Sequence, residues 1–270
     1  TKTDVEKFQR DVAAGKTAKD VTPKDGQRVI VKGGVGTAGR ATAILGTLFA
    51  YAISERYCDQ NPVRGVTINT PASRERQLNA EELKRLGEAL EAFDEEQPTA
   101  VAVLRLLLLT GARRNEILSL KWEWVDIENR VLSLPDSKTG KKTIHLPAPA
   151  LKVLSDIKEV EGSPYVFPAM RGDSHYVGLP KVWRLIRKKA KLPDLRIHDL
   201  RHGFASMAVA GGDSLYLVGK VLGHKQAKTT EKYVHLPEDP VRAVADRTAS
   251  RIDASLKGKG GKVVALRGKK

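Results

Sequence analysis

Six side chains between positions 113 and 233 are of types that handle phosphate esters: Arg113, Lys138, His198, Arg201, His224 and Tyr233. Two arginines, a hairpin lysine, two histidines and a tyrosine, with no acidic cluster able to hold paired Mg²⁺ ions, make an inventory for metal-free phosphoryl transfer. When an oxygen nucleophile attacks a phosphodiester, negative charge builds on the non-bridging oxygens. Arginine stabilises that charge, and one well-placed arginine is worth on the order of 10³ or more in rate.

Each residue also has a plainer reading. In Thr110-Gly-Ala-Arg113-Arg-Asn-Glu116 a glycine cap after the apolar Leu106 to Leu109 run sets Arg113 at the start of a helix, and Glu116 one turn on can hold its guanidinium. Alone this is a helix corner with a surface ion pair, and Arg114 is an alternative for either role. In His198-Asp-Leu-Arg201-His202 the i, i+4 histidines have zinc spacing, but HExxH is absent and Arg201 between them opposes a dication. A structural histidine near a helix start is one reading. The other is anion recognition by His198 and Arg201 together, one turn apart. Tyr233, flanked by Thr, Glu and Lys, would ordinarily be a half-exposed packing residue. It stands outside any apolar periodic run, so its hydroxyl is reachable.

Gly34-x-Gly36-x-x-Gly39 after Arg28-Val-Ile-Val imitates a dinucleotide fingerprint, but Asn61-Pro-Val-Arg-Gly-Val does not supply the second strand and terminal acid that such a site needs. The same glycines leave amides free at a helix start, where Thr37 and Arg40 can meet a nucleic-acid phosphate. No GxxxxGK[ST] occurs, so energy coupling through an NTPase is unsupported.

The elements that must position these residues are carried by 270 residues with 41% hydrophobic and 29% charged content, an ordinary globular composition. The formal net charge of +15 points to a polyanionic partner. No apolar run approaches the roughly 20 residues needed to cross a bilayer. The start lacks Met and a signal core, so a fragment of a longer intracellular protein is expected, and the lone Cys58 agrees with a reducing compartment. Lys181 to His202 holds eight basic residues, and Lys257 to Lys270 holds six with four glycines and no acid. The first run reads as a solvated helix face or an anion surface, the second as a mobile basic tail.

The periodicity predicts a helix-dominated α+β protein. Helices are expected at Asp4 to Ala14 and Ala38 to Tyr57, the latter ended by Asn61-Pro62. After a linker, Asn79 and Glu82 form a capping box for a second domain. There helices follow at 80 to 94, 98 to 109 and Arg113 to Leu120. Short strands at Val125 to Ile127, Val131 to Pro135 and Thr143 to Pro147 make a small antiparallel sheet, with Gly140 in the turn of the last pair. Helices resume at Ala148 to Val160, Lys181 to Ala190, His198 to Ala210, Leu215 to Leu222 and Pro240 to Leu256.

In order and spacing, Thr110-Gly-x-Arg113-x-x-Glu116, Lys138 in Ser-Lys-Thr-Gly, His198-x-x-Arg201, Leu222-Gly-His224 and Tyr233 resemble the tyrosine recombinases, or phage integrase family, over about residues 78 to 256. Gly-Thr-Ala-Gly-Arg leading an Ala-rich helix and then Asn61-Pro-Val looks like that family's helical core-binding domain. The resemblance implies a core-binding domain at 1–72, a linker at 73–78, a catalytic domain at 79–256 and a basic tail at 257–270. It implies Tyr233 as nucleophile on DNA, forming a 3′-phosphotyrosyl link. A phenol is barely ionised at neutral pH, so a base must take its proton, and His198 is the candidate. Arg113 and Arg201 would clamp the non-bridging oxygens, with His224 donating beside them and Glu116 positioning Arg113. Lys138 would protonate the leaving 5′-oxygen, a role for which Lys141 and Lys142 also stand close enough.

The implied substrate is double-stranded DNA at attachment sites, with Lys32, Thr37, Arg40, Arg74, Arg76, Lys181, Arg184 and Arg187 as expected contacts. The implied assembly is a tetramer on DNA, aided by an accessory bending or directionality factor, with Pro240 to Leu256 docking on a neighbour or on its own domain. No metal or cofactor is expected, and the setting is the nucleoid in the cytoplasm. A type IB topoisomerase or a non-catalytic DNA-binding protein are the alternatives; the separate helical domain favours recombination over the first, and the complete set of residues disfavours the second.

Overall fold

The computed structural model describes residues 1–23, 26, 28–71, 76–135 and 140–223. The chain divides into two compact units, Thr1–Glu75 and Arg76–Lys270. Among the described residues no helix is long and apolar enough to cross a membrane.

In the first unit α1 (Lys2–Ala13) begins with a reciprocal cap between Thr1 and Asp4. It lays Val5, Gln9 and Val12 against Ala38, Gly39 and Thr42 of α2 (Val35–Ser54). The buried amide of Gln9 is satisfied on both sides: its Nε2 donates to Thr42 Oγ1 at 3.3 Å, and Asn69 Nδ2 donates to its Oε1 at 3.0 Å.

Between the two helices runs an antiparallel hairpin, β1 (Lys19–Val21) paired with β2 (Val29–Val31), Asp20 facing Ile30. A mainly helical reading of this region misses it. The β-branched run Val29-Ile30-Val31 fits a pleated surface better than a helix. The glycines that follow serve chain crossings. A Cβ on Gly33 would lie 2.5 Å from the Val12 carbonyl, and one on Gly39 would lie 2.4 Å from that of Asn69. Asn61-Pro62 does not end α2, which stops seven residues earlier, with Arg56 in the left-handed region at φ 60. Asn61 instead ties its loop back to the helix, donating to the Gly46 carbonyl at 3.0 Å.

The second unit is built around α4 (Pro98–Thr110), whose apolar residues are buried on almost every side. Before it, α3 (Ala80–Ala92) starts at the expected Asn79/Glu82 box, Asn79 Oδ1 accepting from the Glu82 amide at 2.8 Å. After it come α5 (Arg114–Leu118) and a 3₁₀ turn at Trp122–Trp124. The sheet β3 (Val125–Asp126), β4 (Val131–Leu134) and β5 (Lys142–His145) is antiparallel in that order. Then α6 (Ala148–Ser155), α7 (Leu179–Lys189), α8 (Ile197–Ala210) and α9 (Leu215–Leu222) complete the described part. Both α5 and α6 are shorter than their apolar periodicity suggests; α6 ends at Ser155, before the Glu- and Gly-bearing turn to Pro164.

Helix α4 packs on α5, α6, α7 and α8, so the elements carrying Arg113 and Arg201 share one support. The class is α+β and mainly helical. The expected helix Pro240 to Leu256 and the tail lie outside the described residues.

Candidate active site

The site starts at the turn after α4. Gly111 caps that helix in the left-handed conformation, φ 62, and turns the chain so that Arg113 precedes α5. Glu116, one turn on and buried, accepts twice from the same residue: Oε2 takes the Arg113 amide and Oε1 takes Arg113 NH1, both at 2.8 Å. Arg114 is exposed, its Nε donating to Asn115 Oδ1 at 3.2 Å and not to Glu116. Of the two adjacent arginines, Arg113 is therefore the one held.

Arg201 lies on the inward face of α8 and is 5% exposed. Its NH1 donates to the Gly111 carbonyl at 2.6 Å and its NH2 to the Leu222 carbonyl at 2.8 Å. One guanidinium thereby fastens the Arg113 turn and the end of α9 to α8. Gly223, next in the chain, is left-handed at φ 70, and His224 follows it in sequence.

The sheet supplies one of the hairpin lysines. On β5, Lys142 and Ile144 face inward while Thr143 and His145 face outward. Lys142 Nζ donates to Glu116 Oε2 at 2.7 Å, completing a row from the half-buried Arg113 through the buried Glu116 and Lys142. Burial alone would raise the Glu116 carboxyl, but the donors Lys142 and Arg113 outweigh it and hold the group below its usual range. Lys142 is pushed down by burial, with the Arg201 and Arg113 charges acting in the same direction against Glu116. Strand alternation counted back from Ile144 is the signal that marks Lys142 as inward.

His198 stands in the first turn of α8 and is exposed. Its ring meets that of His202 edge-on, centroids 4.8 Å apart. Partial desolvation lowers its pKa, helped by His202, Arg201 and Arg113 and opposed by Asp199, so the neutral imidazole is favoured at neutral pH. It borders a cleft of about 1090 Å³ that also includes Arg113, Arg114, Glu116, Arg184, Arg187 and Arg196. A concave wall so rich in guanidinium groups suits a polyanion.

The structure thus brings together Arg113, Glu116, His198 and Arg201. Of the remaining expected residues, Lys138, His224, Tyr233 and Arg74 lie outside the described residues. Arg184 lines the cleft and is exposed; Arg187 lines it too, its NH1 donating to the Leu195 carbonyl at 3.3 Å. Lys181 is exposed on the same helix, and in the first unit Lys32 and Arg40 are exposed while Thr37 is half-buried at the start of α2. Arg76, also expected on DNA, is engaged otherwise: it forms a forked pair with Glu82 at 2.7 and 2.9 Å and lies 3.3 Å from Asp194.

Known proteins are similar to this chain in sequence and in fold. The chain is 35% identical over 142 residues to the tyrosine recombinase XerA of Saccharolobus solfataricus, covering 52% of this chain and 47% of that protein. With XerA of Pyrococcus furiosus it shares 27% identity over 183 residues, 66% of this chain and 63% of that one. The chain therefore spans about half to two thirds of the length of these relatives. In fold it resembles the Tn1549 transposon integrase, solved in complex with transposon right end DNA. The TM-score is 0.68 at 17% sequence identity, covering 92% of this chain and 85% of that one. Residues 76–239 match the phage integrase family, more than half of the chain and the whole of the site just described, and the chain belongs to that family.

Proposed function

We propose that this chain catalyses site-specific DNA recombination, cleaving and rejoining strands through a tyrosyl intermediate without metal or ATP. The observation that carries the reading is the Arg113–Glu116 pair standing beside the buried Arg201 and the neutral-leaning His198 at the edge of an arginine-rich cleft. The Tyr233 hydroxyl attacks the scissile phosphorus while His198 takes its proton. The bond to the 5′-oxygen breaks, and that oxygen leaves with a proton from Lys138. Arg113, Arg201 and His224 stabilise the charge on the non-bridging oxygens throughout. The phosphodiester becomes a phosphotyrosine ester, so a 5′-hydroxyl can reverse the step without an external energy source.

The substrate in this reading is a double-stranded attachment site of a mobile element in nucleoid DNA. Four copies assemble on two duplexes, the segment 240–256 docks between or within protomers, and an accessory DNA-bending or directionality factor assists. Residues 1–72 serve as a core-binding domain, joined by 73–78 to a catalytic domain at 79–256 and a basic tail at 257–270. Lys32, Thr37, Arg40 and Arg74 contact DNA from the first part, and Lys181, Arg184 and Arg187 from α7.

The test is incubation with a nicked recombination site that traps the cleaved state. A covalent protein–DNA adduct is expected from the native chain and none from Tyr233→Phe. An adduct that survives Tyr233→Phe overturns the nucleophile.

A further inference from the structure

Lys142 holds a place in β5 that ordinarily suits an apolar side chain. It lies opposite Leu134 in the ladder, on the same face as Ile144, and is 8% exposed. A buried ammonium persists only with a partner. Here the partner is Glu116 Oε2 at 2.7 Å, the oxygen that also accepts the Arg113 amide. The lysine stem passes over Gly223: a Cβ there would lie 2.8 Å from Lys142 Cε and 3.1 Å from its Cδ. Contacts therefore close a ring. Lys142 reaches Glu116, Glu116 holds Arg113, and two residues earlier Gly111 is gripped by Arg201. Arg201 also grips Leu222, whose neighbour Gly223 lies under Lys142.

We propose that Lys142 is a positioning residue, which fixes Glu116 and through it the Arg113 guanidinium and braces the turn that leads into His224. The inference rests on the recombinase reading above. Its Nζ is turned to the buried Glu116 carboxylate at 2.7 Å and Lys142 does not line the cleft, an arrangement for holding that carboxylate in place rather than reaching a leaving oxygen. Lys138 keeps the proton-donor role.

The experiment compares the full chain with Lys142→Met, which keeps the stem and removes the charge, and Lys142→Arg, which restores it. With a nicked site, Lys142→Met is expected to form adduct about 10²-fold more slowly, as a displaced catalytic group does, with DNA affinity within about twofold of native. A substrate carrying sulfur at the 5′-bridging position, whose thiolate leaves unprotonated, should not rescue it, whereas the same substrate should rescue Lys138→Ala. Lys142→Arg should recover most of the rate. The carboxyl titration of Glu116, followed by ¹³C NMR, should move upward in Lys142→Met. If Lys142→Met does not fold, Gly223→Ala, which drives a Cβ into the stem, is the variant measured instead. Rescue of Lys142→Met by the sulfur substrate, or an unmoved Glu116 titration, overturns the proposal. A native chain that forms no adduct overturns the recombinase reading, and the Glu116 titration then decides the positioning role alone.

Discussion

The guanidinium of Arg201 donates to the carbonyl of Gly111 at 2.6 Å, although the two residues are 90 positions apart. That bond is possible because Gly111 turns left-handed at φ 62 and presents its carbonyl to α8. A Cβ at this position would stand 2.6 Å from Phe204 Cδ1 and 2.9 Å from Leu222 Cδ2, both on the packing surface between α8 and α9. Gly111→Ala is therefore expected to destabilise the fold by roughly 1–3 kcal/mol, from backbone strain and the clash together. It should also slow adduct formation by more than the loss of folded protein explains, since the carbonyl that seats Arg201 moves with the turn. Thermal unfolding and adduct kinetics on the same sample check both; a variant that melts with the native protein contradicts the account.

Arg76 and Arg184 should separate cleanly. Arg76 is one quarter exposed and forked onto Glu82, so Arg76→Gln breaks charged hydrogen bonds at the entry of α3. The expected loss is about 1–3 kcal/mol of stability, with the salt dependence of DNA binding unchanged. Arg184 is exposed in the cleft and touches no described acid. Arg184→Gln should leave the melting temperature alone and lower the slope of log affinity against log salt by about one. Equal slopes in both variants would remove Arg184 from the phosphate contacts.

The contrast between these arginines shows where the sequence is readable. The Asn79/Glu82 box, the Gly111 cap and the Arg113–Glu116 pair are local, set by spacings of three or four residues, and were legible as such. The hairpin strands were legible from their alternation, and counting that alternation one step further marks Lys142 as inward. The partner of Arg76 was not readable from charge alone, because the same guanidinium serves DNA or a carboxylate equally well and only the fold brings Asp194 near. Arg201 behaves likewise: nothing in His198-x-x-Arg201 names Gly111 or Leu222, whose carbonyls come from distant turns. The β1–β2 hairpin is hidden for another reason: its three-residue strands are exposed throughout and carry no apolar–polar alternation.

Glu116 should leave a mark on acid stability. Its carboxyl titrates below its ordinary value of 4.5 because Lys142 and Arg113 outweigh burial. A depressed carboxyl contributes stability that is present above the unfolded value and is lost as pH falls through the folded one. Glu116→Gln leaves Lys142 buried without its anion, so at neutral pH it should be clearly less stable than the native protein. The difference should shrink as the pH falls from 4.5, where the unfolded chain takes up its proton, through the lower folded value, where the native carboxyl loses its charge as well. Denaturant unfolding of both proteins across that range tests it; a difference that is constant with pH would mean Glu116 is not held as an ion.

His198 makes the corresponding prediction for chemistry. Burial, with the charges of His202, Arg201 and Arg113, moves it below the ordinary histidine value of 6.5, against the pull of Asp199. A base must be unprotonated to accept the tyrosine proton, so the sign is fixed: the acid-side inflection of adduct formation should lie below 6.5. His202 contributes to that displacement through its ring, 4.8 Å away between centroids. His202→Gln removes this charge and should shift the acid-side inflection upward, toward 6.5, while His198→Gln should abolish the inflection together with most of the rate. Single-turnover cleavage across a pH series reads all three proteins. An inflection in the native chain above 6.5 would mean that the group titrating in the rate is not a histidine placed as His198 is, and the proton acceptor would have to be sought elsewhere.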